Sequence, residues 1–281
     1  IDEPAARREV GGVNTDPMKR FLFVLTVSAF ALAGCYTNPV TGRQSLVLVQ
    51  PSQELALGAQ SFQQIRSQEK VSNDSAMNAR VQRVGKRIAE VVGNQMPDAQ
   101  WEFVVFDSPE VNAFALPGGK VGVYTGLLKL ATSDDELAVV MGHEIGHVIA
   151  RHGAERMSEQ MVIDGLGTLA TAYAQNRNSP QAVQLFQTAY GGAATLGRVL
   201  PHSRQQESEA DHMGVVFAAK AGYDPRAAIT FWEKMSAQNN AKPGGLLDRF
   251  LSTHPADADR IAALKNLMPE VLPLYQASKK G

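Results

Sequence analysis

Apolar residues follow two distinct patterns along this chain. Over residues 75–92, Met77, Val81, Val84, Ile88 and Val91 recur at steps of three and four, the stripe of an amphipathic helix. Residues 101–106, 111–116 and 121–124 are short runs rich in aromatic and β-branched side chains, and they predict strands. Pro117-Gly118-Gly119 separates the last two. Ahead of them, 45–49 predicts a short extended run and 52–66 a helix with Ser52 as its N-cap. Beyond residue 124 the strand pattern stops. Helices are predicted over 125–131, 134–157, 182–195, 205–221, 225–239 and 256–266, with a turn at 94–97 and loops at 176–180 and 239–245. A small sheet followed by a run of helices is an α+β arrangement, mostly helical.

Composition narrows the function classes. The 281 residues are 44% apolar and 20% charged, which is the balance of a folded chain. With 27 basic against 28 acidic residues the net charge is −1, so no basic field exists for nucleic acid. Cys35 is the only cysteine, which excludes an intrachain disulfide.

Residues 1–17 are polar and without period, and they read as an upstream, non-native segment. From Met18 the pattern changes to Lys19-Arg20 and an apolar run over 21–33, too short to span a bilayer and typical of a signal peptide. It closes on Leu32-Ala33-Gly34-Cys35, which resembles a bacterial lipoprotein processing site. That resemblance implies a signal peptide over 18–34, lipid on Cys35, and a lipidated arm over 35–51. Tyr36 in place of an acidic residue implies the outer membrane, with the protein on its periplasmic face. Residues 52–268 then form the main domain and 269–281 a tail.

The chemistry resides in His143-Glu144-Ile145-Gly146-His147, an H-E-x-x-H pattern. Ser133 and Glu136 form a capping box that opens a helix over it. His143 and His147 therefore lie one turn apart on one face and can reach a single metal ion. Glu144 is rotated by about 100°, so it can reach a water without being a ligand. Gly142 and Gly146 weaken that helix and allow something to approach closely. A catalytic zinc takes three protein ligands and keeps a position open. Ala150 and Gly153 occupy the places where a continuing metzincin pattern needs Gly and His. His152 is out of register and reads as a surface residue at a helix end. Glu207 is the expected third ligand. Asp211, four residues on, shares its face and would hold the free N–H of a ligand histidine, while Glu209 faces away.

H-E-x-x-H with a downstream E-x-x-x-D resembles the gluzincin metalloproteases. More narrowly, the chain resembles the CAAX prenyl endopeptidases and their bacterial HtpX-type and periplasmic relatives. Four further stretches carry that likeness: Asn38-Pro39-Val40-Thr41-Gly42, residues 112–119, Ser203-Arg204, and Ser252-Thr253-His254-Pro255 with Arg260. The resemblance implies one Zn2+ per chain on His143, His147 and Glu207, with Glu144 as general base. It implies that Asn112, Ala113, Phe114 and Ala115 form an exposed edge strand that pairs with an extended polypeptide substrate. Prenyl endopeptidases cross the membrane repeatedly, whereas no segment after the signal is apolar enough to do so. His202 stands where that family has an aromatic residue.

These parts predict a zinc endopeptidase of the bacterial envelope that clears misfolded or unassembled periplasmic and outer-membrane proteins. His254, His202 and Arg260 are the available donors to a developing oxyanion, His254 first among them. His254 could instead occupy the fourth zinc position at rest. The rival reading is an envelope chaperone or scaffold lipoprotein whose metal site stays latent.

Overall fold

The computed structural model describes residues 34–163, 203–241, 245, 247–255 and 258–279. Residues 1–33, the expected helix over 182–195, the loop at 176–180 and His202 lie outside the described residues.

Strands β1 (Cys35–Thr37) and β2 (Gln44–Leu46) pair as a two-stranded sheet. The turn between them closes through Gly42 N–H to the Asn38 carbonyl at 2.9 Å, with Gly42 at φ 73°. Helix α1 (Pro51–Gln68) begins one residue before the expected Ser52 cap. Proline favours the first helical position, and the Gln53 side chain accepts from Gln50 N–H at 3.2 Å. Helix α2 (Ser75–Val92) has the expected bounds and buries Val81, Val84 and Ile88.

The second sheet holds β3 (Glu102–Phe106), β4 (Ala113–Leu116) and β5 (Lys120–Tyr124) in the order β3-β5-β4. β5 runs parallel to β3 and antiparallel to β4. β4 is thus an edge, but not the exposed one expected from sequence. Asn112 through Leu116 are all buried, because β4 packs against the helix that carries His143.

That helix, α4 (Asp134–Ile149), follows the short α3 (Thr125–Leu130). The Ser133 hydroxyl accepts from Glu136 N–H at 3.1 Å, completing the expected capping box. α4 is buried from Glu136 to its end, with β4, α2, α6 (Arg204–Lys220) and α7 (Ala227–Ala241) around it. Gly142 and Gly214 are where α4 and α6 meet. A Cβ on Gly142 would lie 2.8 Å from the Gly214 carbonyl oxygen, and one on Gly214 would lie 2.8 Å from the His143 nitrogen. The glycines therefore admit α6, which brings its carboxylates to the two histidines. Gly142→Ala gains about 1 kcal/mol of helix propensity but forces backbone against backbone, at about 1–3 kcal/mol. A net loss is expected, measured as a lower Tm of the metal-free protein, whereas a raised Tm would mean that the two helices separate freely.

The expected single helix over 134–157 is broken. α4 stops at Ile149, Arg151 adopts φ 56°, and α5 (His152–Ile163) starts in a new direction. Arg151 is the one non-glycine residue with positive φ among the described residues. Among the described residues two more helices follow, α8 (Asp248–Thr253) and α9 (Ala258–Ser278). α9 runs well past the expected end at 266, through Pro269 and Pro273. Its buried stripe of Leu264, Met268 and Val271 holds it against α6 despite the missing N–H groups.

Candidate metal centre

The contact between α4 and α6 brings the predicted ligands together. His143 Nε2 and His147 Nε2 are 3.0 Å apart. Glu207 Oε2 lies 3.6 Å from the first and Glu207 Oε1 lies 3.3 Å from the second. His254, at the end of α8, joins them: one ligand atom from each of His143, His147, Glu207 and His254 lies within 4.8 Å of the others, and all four residues are buried. His254 Nε2 is 3.6 Å from Glu144 Oε1 and 3.9 Å from Glu207 Oε1.

Asp211 Oδ1 is 2.9 Å from His143 Nδ1. An ionised carboxylate can only accept, so Nδ1–H donates and His143 Nε2 turns a lone pair toward the cluster. Arg260 sits beneath both acids. Its Nε is 2.6 Å from Asp211 Oδ2, and its outer nitrogens reach Asp211 Oδ1 at 2.7 Å and Glu207 Oε2 at 2.8 Å. The guanidinium stacks 3.5 Å over the Trp232 ring. Arg260 is therefore occupied by the two carboxylates, where the sequence suggested an oxyanion donor.

The donor set fits a cation. Glu144 Oε1 and Glu207 Oε1 are buried and receive no hydrogen bond from any described residue. Burial, then the charge of Glu207, push the Glu144 carboxyl well above its ordinary range. Burial likewise raises Glu207 to about 8, with Arg260 opposing. Burial lowers His143, against the pull of Asp211. Two carboxylates and two imidazole lone pairs facing one another are costly together unless a positive ion lies between them.

His152 departs from its sequence reading, and Glu209 is buried in a way the sequence did not show. His152 is fully buried, not on the surface, because the turn at Arg151 folds it back under α4. Its Nδ1 is 2.8 Å from His147 Nδ1 and its Nε2 is 2.8 Å from Glu209 Oε2. Glu209 faces away from the metal cluster as expected, yet it is buried. It is gripped by the turn between β1 and β2: Asn38 Nδ2 donates to Oε1 at 2.6 Å, the Thr41 hydroxyl donates to the same oxygen, and Arg43 Nε donates to Oε2. Burial alone would raise its pKa, but the bonds from His152, Thr41 and Arg43 hold it near 2. Arg43 also forks onto Glu155 at 2.7 Å through both outer nitrogens.

A helix-borne pair of histidines, a carboxylate brought in from a second helix and an acid beside them define a zinc metallopeptidase centre. The chain belongs to peptidase family M48, whose sequence profile matches residues 75–268. Zinc is the metal of that family. Similar proteins include the mitochondrial metalloendopeptidase OMA1 of Schizosaccharomyces pombe, 38% identical over 190 residues, which cover 68% of this chain and 52% of that protein. The Saccharomyces cerevisiae OMA1 is 29% identical over 279 residues, 89% of this chain and 76% of that protein. The beta-barrel assembly-enhancing protease of Escherichia coli K12 is 28% identical over 252 residues, 87% of this chain and 50% of that protein. The chain thus spans about half the length of the first and last of these. No helix among the described residues is long and apolar enough to cross a membrane.

Proposed function

We propose that this chain is a zinc-dependent endopeptidase of the bacterial cell envelope that cleaves misfolded or unassembled envelope proteins. The observation that carries the reading is the convergence of His143, His147 and Glu207, with Glu144 beside them and all four buried. In this reading the three ligands hold one zinc, and Asp211 and Arg260 fix His143 and Glu207 in place. Bound there, zinc supplies a Lewis acid for the scissile carbonyl and makes water more acidic. Glu144 takes the proton of the attacking water and passes it to the leaving amine.

The envelope assignment rests on Leu32-Ala33-Gly34-Cys35 and on the exposed position of Cys35, the proposed site of lipid attachment. The HtpX-type and periplasmic branch of the family fits that placement. The E. coli relative, a beta-barrel assembly-enhancing protease, supports outer-membrane clients as the substrate class. Loss of Cys35 by Cys35→Ser should release the protein from membranes. Metal analysis tests the centre: the full chain should bind one zinc and His147→Ala should lose it. Full zinc content in His147→Ala would overturn the ligand set.

A further inference from the structure

We infer that His152 is a positioning residue for the metal ligand His147, setting which of its ring nitrogens carries the proton. The inference rests on the proposal that His147 binds the metal through Nε2. The two Nδ1 atoms are 2.8 Å apart, so one is protonated and the other accepts. The far nitrogen of His152 decides which. It lies 2.8 Å from Glu209 Oε2, a carboxylate that also takes bonds from Asn38, Thr41 and Arg43. An ionised carboxylate accepts only, so His152 carries its proton on Nε2 and presents a lone pair on Nδ1. His147 must then donate from Nδ1, which leaves its Nε2 lone pair facing His143 and Glu207. The reverse arrangement sets a nitrogen lone pair against the Glu209 carboxylate and points an N–H at the metal position. Asp211 does for His143 what Glu209, acting through His152, does for His147.

The backbone is shaped for this contact. Had α4 continued, His152 would lie roughly 140° round the helix from His147. The turn at Arg151, φ 56°, brings the ring back beneath it, in a conformation that costs a non-glycine residue about 1–2 kcal/mol. Arg151 is held there by Glu54 Oε2 at 3.0 Å, by the Val49 carbonyl at 2.7 Å and by the Tyr36 ring at 5.2 Å.

The test is zinc affinity of the purified full chain, measured by competition with a zinc-binding fluorophore. His152→Phe keeps a planar ring and removes both nitrogens, and it should weaken zinc binding about 10- to 100-fold. His152→Gln restores an acceptor and a donor on one amide and should recover most of that loss. Long-range proton–nitrogen spectra of the zinc-loaded wild-type chain should show His147 protonated at Nδ1 and His152 at Nε2. Wild-type affinity in His152→Phe, or a proton on His152 Nδ1, overturns the inference. If His152→Phe does not fold, the spectra of the wild type decide. Retention of zinc by His147→Ala sinks the ligand reading itself, whereas its loss there, with His152→Phe unaffected, sinks this inference alone.

Discussion

Glu144→Gln should lower the turnover of an unfolded protein such as casein about 10²- to 10⁴-fold, with one zinc still bound per chain. The side chain is buried beside the ligand cluster, and its Oε1 receives no hydrogen bond from any described residue. It is therefore available to take a proton. Glutamine has the same shape but cannot accept that proton and return it to the amine. Because Glu144 is not among the ligands, zinc content is unaffected. Because the amide fills the same space, KM should change little while kcat falls. The same comparison separates enzyme from chaperone: client binding survives the substitution in either case, but only an enzyme releases fragments from the wild type and loses them in Glu144→Gln. Turnover near the wild-type rate would remove Glu144 from the mechanism.

What the sequence made legible was local and periodic. The three- and four-residue steps over 75–92 lead to a helix with those bounds, and the capping box at Ser133 and Glu136 marks the start of α4. His143, Glu144 and His147 follow from spacing within one helix, and Glu207 with Asp211 from spacing within another. Contacts that depend on backbone irregularity were not legible. His152 becomes buried only because Arg151, a non-glycine residue, takes a left-handed conformation, and arginine carries no signal for that. The role of Glu209 depends on Asn38, 171 residues away in sequence. The Asn38-Pro39-Val40-Thr41-Gly42 stretch was visible only as part of the family likeness, and its donors Asn38 and Thr41, with Arg43 just beyond it, acquire meaning only against that buried carboxylate. The end of α9 was missed because Pro269 and Pro273 argue locally against a helix, whereas tertiary burial of Leu264, Met268 and Val271 overrides them. The cluster shows the same division: His143 and His147 come from one motif, whereas Glu207 and His254 reach them by packing.

His254→Ala should raise peptide turnover about 10- to 100-fold without loss of zinc, if the histidine occupies the centre nine-tenths or more of the time at rest. The tautomer of the ring decides between its two possible uses. His254 Nδ1 is 2.7 Å from Thr253 Oγ1, and that hydroxyl lies 3.0 Å from the Phe250 carbonyl, which can only accept. The hydroxyl proton is directed to Phe250, so Oγ1 accepts from His254 Nδ1–H. The proton is on Nδ1, and Nε2 turns a lone pair toward Glu144 and Glu207 at 3.6 and 3.9 Å. Burial, then the nearby charge of His143, keep the ring neutral far below its usual pKa. A lone pair cannot donate to an oxyanion, but it can complete a metal's coordination. Stacking on Phe250, with centroids 4.6 Å apart, holds the ring in that pose. Substrate must then displace His254 before water and peptide can share the centre, and alanine removes that competition. A fall in kcat of about 10²–10³ at constant KM would instead make His254 a transition-state donor. An unchanged rate with unchanged zinc would leave it a packed residue at the end of α8 and nothing more.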